Sequence, residues 1–229
     1  MQALRFVISG KLAQFRRFYS NSSSLSYPIP PPPTLRGLLG AAMGMGPEYA
    51  EHLGELRFSV RPLSPWRFLM QTANHLKVKK GELNLAGGEH TQIPLQFVAP
   101  RTLEGRLRYE VVAAGPDAPR LAEALARPRY PLSLGPAYAL AQVEEVETIA
   151  GKQVKGFEGP ILGPLRADAI ASLSGPGRLL TDRYPLQLAK DRTPLSVADL
   201  VIEAEGKPIA ARYEGAVFVS DAGVWGLVG

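Results

Sequence analysis

Basic and aromatic side chains are interleaved near the start of this 229-residue sequence, and their types favour one kind of chemistry. They comprise Lys11, Phe15, Arg16, Arg17, Phe18, Tyr19 and, after a serine-rich bend, Tyr27. No Asp or Glu precedes Glu48. Cations beside aromatic rings suit the phosphates and exposed bases of a single-stranded nucleic acid, so these cations and tyrosines are candidate contacts. A positively charged surface loop ahead of a core helix is the alternative interpretation.

A second group, His75 with Lys77, Lys79 and Lys80, has residue types that could cleave RNA without a metal. That reaction needs a base to activate the ribose 2′-OH and cations to hold the phosphate. A solvated hairpin tip that contacts phosphate explains the same residues without catalysis. We favour the tip, so no catalytic residue is assigned and all four residues are candidate RNA contacts.

The sequence predicts neither a metal site nor a cofactor. Cysteine is absent, and the three histidines are scattered without a pair at i, i+4. A phosphate-binding P-loop and a dinucleotide fingerprint are also lacking. The absence of cysteine agrees with a reducing compartment, and no apolar run reaches 18 residues, so we expect a cytoplasmic protein without a membrane partner.

The net charge of +5 is unevenly distributed. Residues 1–100 hold 11 Lys/Arg against 5 Asp/Glu, whereas residues 101–229 hold 15 against 16. The basic character therefore belongs to the N-terminal part of the chain. This asymmetry favours an acidic partner for that part, most simply a nucleic acid.

The helices and strands that must position these residues are predicted from hydrophobic periodicity and from turn-forming residues. Strands are predicted at 3–9, 55–64, 101–114 and 139–149, helices from Thr34 and at 117–127, and a long, irregular β-hairpin at about 66–98. The four prolines before Thr34 are expected to be extended, with Thr34 as the helix N-cap. The order is strand, helix, strand, strand, helix, strand, which is that of a ferredoxin-like unit. We therefore predict an α+β protein, with a ferredoxin-like domain at 1–150 and a small β-rich domain at 151–229.

Two segments of the sequence resemble signatures of the fifth CRISPR-associated (Cas) protein family. The first runs from AQFRR at residues 13–17 through LSYPIPPPPTLRGLLGA at residues 25–41. The second is YPLSLG at residues 130–135, which ends in the Leu134-Gly135 pair typical of the family. The motifs cover about 40 residues directly, and the element order extends the resemblance to residues 1–150.

The resemblance implies an RNA-recognition-motif-like fold of the repeat-associated mysterious protein superfamily and membership of Cascade, the type I surveillance complex. The implied function is to bind the 5′ handle of the CRISPR RNA and to cap the filament of backbone subunits. The implied partners are the CRISPR RNA, the backbone and large subunits, and target DNA within the complex. The hairpin takes the place of the family's thumb, and the positions that carry over are Arg16, Arg17, Thr34, Arg36, Gly37, Leu134 and Gly135. Through this resemblance, Thr34 and Arg36 join the candidate RNA contacts.

One subtype of that family, in type I-C systems, cleaves precursor RNA with a Tyr/Lys/His set. Prolines stand near the expected tyrosine here, and no adjacent Lys-His dipeptide occurs. We therefore predict a non-catalytic scaffold that is closer to type I-A or I-B. A metal-independent endoribonuclease and a purely structural ferredoxin-like interaction module are the two alternatives.

Overall fold

The computed structural model describes residues 1–21, 23–76 and 90–229. Its elements are β1 (Gln2–Gly10), β2 (Phe15–Arg16), β3 (Ser26–Tyr27), α1 (Pro32–Met43), α2 (Tyr49–His52), β4 (Arg57–Pro62), β5 (Trp66–Leu76), β6 (His90–Pro100), β7 (Leu107–Ala114), α3 (Ala118–Ala126), β8 (Ala141–Ala150), β9 (Lys152–Ile161), β10 (Leu165–Arg166), a 3-10 turn (Ala167–Ala169), β11 (Ile170–Ser174), β12 (Leu179–Leu188), β13 (Pro194–Glu203), β14 (Ile209–Ser220) and β15 (Gly223–Gly226). The protein is α+β, as predicted. In the described part of the chain, no helix has the length and apolarity needed to cross a bilayer.

A four-stranded antiparallel sheet with the order β4-β7-β1-β8 organises the N-terminal part. β1 is buried on both faces, which explains why its sequence alternates only weakly. Leu4, Phe6 and Ile8 join the core cluster that contains helix residues from α1 and α3. Ala3, on the opposite face, packs in a cluster with Phe218 and Trp225 from the C-terminal strands.

The entry to α1 differs from the sequence prediction. The helix begins at Pro32, with Pro31 in an extended conformation as its N-cap, so two of the four prolines are helical. The first-turn N–H groups of a helix have no partner within the helix, so proline loses no hydrogen bond there. Thr34 is consequently in the first turn, and its N–H donates to the Pro31 carbonyl at 2.9 Å.

The predicted hairpin is present as two long strands, β5 and β6, and its described part is regular. The antiparallel register runs without interruption from Trp66 opposite Pro100 to Leu76 opposite His90. His75 lies within β5, opposite Thr91, and thus belongs to the strand. The predicted tip residues Lys77, Lys79 and Lys80 lie outside the described residues.

Residues after 150 form two small sheets, one with the order β10-β13-β12 and one built around β14. Tyr184, Leu200 and Ile202 belong to the same core cluster as Leu4 and Phe6 of β1. Backbone hydrogen bonds between Phe58 and Val228, at 2.7 and 2.9 Å, also join β4 to the end of the chain. The C-terminal strands therefore complete the core of the N-terminal sheet, and the division into two domains at residue 150 stays a prediction.

A buried carboxylate on β7 ties three strands to the C-terminus. Glu110, which is 2% exposed, accepts hydrogen bonds from Arg5 at 2.9 Å, Arg61 at 2.8 Å and the Trp225 indole at 3.0 Å. Burial alone would raise the pKa of Glu110, but the hydrogen bonds from Arg61, Trp225 and Arg5 lower it to about 2. The carboxylate is thus ionised and paired at neutral pH.

Candidate nucleic-acid interface

We call residues 10–27 the basic segment. It runs beside β6 and is hydrogen-bonded to it at both ends. Ala13 and Val98 exchange two backbone hydrogen bonds of 2.9 and 2.8 Å. Further along, the Ser24 N–H donates to the Pro94 carbonyl, and the Gln96 N–H donates to the Ser24 carbonyl, both at 2.9 Å. The segment is therefore held against the hairpin, and its cations have defined positions.

The two sequence signatures meet in the structure. The Gln14 N–H in the basic segment donates to the Leu134 carbonyl at 3.0 Å. Gly135 follows with φ of 106°, and a Cβ on it would lie 2.0 Å from the Gln14 carbonyl oxygen. Only glycine fits this backbone conformation and this close approach. The Leu134-Gly135 pair therefore fixes the path of the basic segment.

Arg16 and Arg17 are neighbours in sequence but have different surroundings. Arg16 is exposed, and its guanidinium makes one long hydrogen bond, 3.3 Å, to the Ser20 carbonyl. Arg17 is half-buried, lies over the Tyr27 ring and forms an ion pair of 3.0 Å with Asp182. Arg16 keeps most of its donors for an outside anion, whereas Arg17 already has a carboxylate partner.

Two aromatic rings are exposed beside Arg16. Phe18 and Tyr19 pack edge to face, with ring centroids 5.2 Å apart. The Tyr19 hydroxyl donates to Asp182, and partial burial together with this hydrogen bond raises the pKa of Tyr19. The tyrosine therefore stays neutral at physiological pH and has a ring face that could stack against a base.

Lys11 lies at the other end of the basic segment, next to a cavity of about 260 Å³. Its ammonium group donates to the carbonyls of Glu104 and Gly105 at 3.0 and 3.1 Å. Arg106 and Tyr138 also line this cavity. The Nη2 group of Arg106 donates to the Ser9 hydroxyl at 3.4 Å and to the Gln142 amide oxygen at 2.9 Å, and its buried Nε has no hydrogen-bond partner among the described residues. The sequence interpretation missed Arg106 and Tyr138, because only the fold brings them beside Lys11.

Two predicted RNA contacts are part of the core. Arg36 is 3% exposed and donates to the carbonyls of Leu53, Leu186, Gly54 and Leu56 at 2.6–3.3 Å. Burial lowers the pKa of Arg36. Tyr27 is fully buried; its ring stacks on Tyr184 with centroids 4.2 Å apart, and its hydroxyl donates to the Arg183 carbonyl at 2.6 Å.

These two assignments are corrected, since a side chain whose donors are used inside the core does not reach a nucleic acid. Thr34, in the first turn of α1, is half-buried. His75 is exposed on β5. Among the predicted contacts that the structure describes, Lys11, Arg16, Tyr19 and His75 therefore lie at the surface, and Arg17 lies partly there.

The surface elements suit binding of an anionic strand. Exposed cations can hold phosphates, and exposed aromatic rings can stack with bases. Within residues 1–21, 23–76 and 90–229, no group of three His, Cys, Asp or Glu side chains is arranged to hold a metal ion.

Comparison with solved structures finds the same fold in CRISPR proteins. A crystal structure of a CRISPR protein from Archaeoglobus fulgidus matches with a TM-score of 0.61 and 14% identity, over 100% of this chain and 99% of that one. A chain of a CRISPR RNA-guided surveillance complex matches with a TM-score of 0.52 and 18% identity, over 90% and 91%. A chain of a type III-B Cmr-beta complex bound to cognate target RNA and AMPPnP matches with a TM-score of 0.51 and 14% identity, over 91% and 86%.

Comparison with curated protein sequences gave no match. A family profile described as CRISPR-associated protein (Cas_Cas5) matches residues 3–196. The matched region contains both signatures, the basic segment, the hairpin and the β4-β7-β1-β8 sheet. This protein therefore belongs to the Cas5 family of CRISPR-associated proteins.

Proposed function

We propose that this protein is a non-catalytic subunit of a type I CRISPR surveillance complex, in which it binds the 5′ handle of the CRISPR RNA and caps the filament of backbone subunits. The observation that carries the proposal is the basic segment itself, which exposes Lys11, Arg16 and Tyr19 and is held in place by β6 and Leu134-Gly135. Family membership supplies the context, because a chain of similar fold belongs to an RNA-guided surveillance complex.

The proposed handle contacts are Lys11, Arg16 and Tyr19, with Arg17 nearby. Arg16 and Lys11 would neutralise phosphates, and the Phe18–Tyr19 pair would stack with an unpaired base. Since the segment is already ordered by backbone hydrogen bonds, binding would cost less conformational entropy than ordering a free loop.

We further propose that the four-stranded sheet with α1 and α3 is a ferredoxin-like domain and that β5 and β6 form the thumb. The strand order β4-β7-β1-β8 and the antiparallel pairings support the first assignment. The length of the hairpin and the exposure of most of β5 support the second. A hairpin of this kind would reach over bound RNA or a neighbouring subunit, with Lys77, Lys79 and Lys80 as proposed contacts at its tip.

A binding experiment with labelled repeat RNA in EDTA tests the handle contacts. Lys11→Ala with Arg16→Ala is expected to weaken handle binding and to flatten the salt dependence by about 0.7 log units for each phosphate that is no longer neutralised. Arg120→Ala with Arg127→Ala, two exposed cations on α3 and at its end, is the matched control. An unchanged salt slope in the first variant would contradict the proposal.

The same mixture separates the alternative functions. Binding without new RNA fragments supports a scaffold subunit. Cleavage in EDTA would favour a metal-independent endoribonuclease, and His75→Ala then asks whether the exposed histidine on β5 takes part. The absence of any RNA binding, by the subunit alone and in the assembled complex, would favour a structural interaction module.

A further inference from the structure

A second cationic and aromatic groove lies at the root of the hairpin, and it shares no residue with the basic segment. Its volume is about 720 Å³. The side chains that matter for its chemistry are Trp66, Phe68, Arg67, Arg101, Arg178 and Lys207. One carboxylate, Glu205, also lines it, so the lining comprises four cationic residues and one acidic residue. We propose that this groove binds a segment of single-stranded nucleic acid other than the one held by the basic segment.

The wall that carries Arg178 and Lys207 is organised by a buried carboxylate. Glu203 is 5% exposed and accepts hydrogen bonds from the backbone N–H groups of Arg178 at 3.1 Å, Glu205 at 2.8 Å and Lys207 at 2.8 Å. The Ala204 N–H also donates to the Arg178 carbonyl at 2.9 Å. These hydrogen bonds join Arg178 to the 203–207 turn, and the cations Arg178 and Lys207 line the same groove.

The same wall is anchored to the N-terminal sheet. Gly206 has φ of 76°, and a Cβ on it would lie 1.8 Å from the Pro62 carbonyl oxygen, so the turn packs directly on the end of β4. Arg61 donates to the Gly206 carbonyl at 3.1 Å, and the Trp66 indole donates to the Ala204 carbonyl at 2.8 Å. The groove is therefore a rigid feature between the hairpin and the 203–207 turn.

The aromatic side of the groove has one ring fixed and one ring open. Trp66 is held by its indole hydrogen bond and packs edge to face against Phe68, with centroids 5.1 Å apart. Phe68 remains 37% exposed. An exposed ring supported by a fixed ring is a platform on which a base can stack, whatever its identity.

The charge balance favours a polyanion as the occupant. Arg67, Arg101 and Arg178 have no carboxylate within ion-pair distance among the described residues, and Lys207 pairs only with the exposed Glu205 at 2.6 Å. Phosphates spaced along a strand can meet several cations in one groove, while the bases meet the ring of Phe68. An acidic protein segment would use the cations but would leave Phe68 without a planar partner.

Fluorescence anisotropy with a labelled ten-nucleotide oligouridine, which lacks any repeat sequence, tests the groove on the full-length protein. Arg178→Ala with Lys207→Ala is expected to weaken binding and to reduce the salt slope by about 1.4 log units, which corresponds to two phosphates. Phe68→Ala is expected to weaken binding about tenfold at an unchanged salt slope, because stacking is uncharged. Arg120→Ala with Arg127→Ala is the matched control for removal of two exposed cations.

The proposal is overturned if the wild-type protein does not bind the oligouridine. It is also overturned if the groove variants bind it as tightly as the wild type and thermal unfolding shows that they are folded. It is also overturned if polyglutamate of equal charge displaces the RNA equally well, which would assign the groove to an acidic protein segment. Failure of the handle proposal would look different. In that case Lys11→Ala with Arg16→Ala would leave handle binding intact, while the groove variants would still bind oligouridine more weakly.

Discussion

Charged residues occupy two contrasting regions in this protein, the basic segment and the buried core. Arg16 in the basic segment is exposed and makes one long hydrogen bond, whereas the guanidinium of Arg36, only 20 residues later in the same acid-free stretch, is buried and donates to four backbone carbonyls. Glu110 resembles Arg36, because its partners are inside the protein. The comparison shows that a charge is available to a ligand only where the fold leaves its hydrogen-bonding groups unused.

Removing Arg36 is expected to have the largest effect on folding. Arg36→Ala removes the guanidinium donors of four backbone carbonyls and opens a cavity beside Phe58, so the free energy of unfolding should fall by about 4 kcal/mol. Arg16→Ala, at the surface, should change it by less than about 0.5 kcal/mol. Urea denaturation of both variants measures the contrast. Similar decreases for the two arginines would mean that the division into buried and available cations is wrong.

Glu110 is expected to make stability depend on acid pH. Its pKa is about 2 in the folded protein and close to 4.5 in the unfolded chain, so its contribution is complete above about pH 4.5 and is lost as the pH falls towards 2. The contribution at neutral pH is about 3 kcal/mol. Glu110→Gln should remove it and show a flatter dependence of the free energy of unfolding between pH 5 and pH 3. Glu123→Gln, on the exposed face of α3, is the control.

Gly135 links the two regions, since it follows the buried Leu134 and its backbone packs against the Gln14 carbonyl of the basic segment. Gly135→Ala introduces a Cβ at a positive φ and against the Gln14 carbonyl, which should cost about 2 kcal/mol of stability. Faster hydrogen exchange at residues 13–17 is expected as well. Gly177→Ala is the control, because a Cβ there makes only ordinary contacts at 3.6 Å. Unchanged exchange at residues 13–17 would show that Leu134-Gly135 does not hold the segment.

Substitution of Asp182 should have the smallest effect on stability. It tests whether a cation that is paired within the protein becomes available to RNA when its partner is removed. Asp182→Asn removes the ion pair with Arg17 at a cost of about 1 kcal/mol or less. The released guanidinium should raise RNA affinity and steepen the salt dependence by up to about 0.7 log units. Asp168→Asn, which breaks the exposed pair with Arg166, is the control. If the salt dependence of RNA binding is no steeper in Asp182→Asn than in the wild type, Arg17 does not contact a phosphate.

Hydrophobic periodicity and turn residues predicted most of the helices and strands, because the formation of these elements depends largely on residues that are close in sequence. β1, α3 and the paired strands of the hairpin are found where period and turn residues indicated them. The observed start of α1 lies about one turn before the predicted one, because proline breaks the interior of a helix but is well tolerated in its first turn. The sequence predicts an irregular hairpin because the consecutive apolar residues Phe68, Leu69 and Met70 interrupt the alternation of β5.

The composition and motifs of the sequence determined the α+β class, the basic N-terminal part and the resemblance to Cas5 proteins, because these properties are local or additive. The tertiary structure alone decided which cations remain available. Arg17 meets Asp182, Arg36 meets the Leu186 carbonyl, and the backbone of Arg178 meets Glu203. Those partners lie from 25 to 165 residues apart in the chain. The charge of a side chain is set by its type, but its solvation and its partners are set by long-range packing.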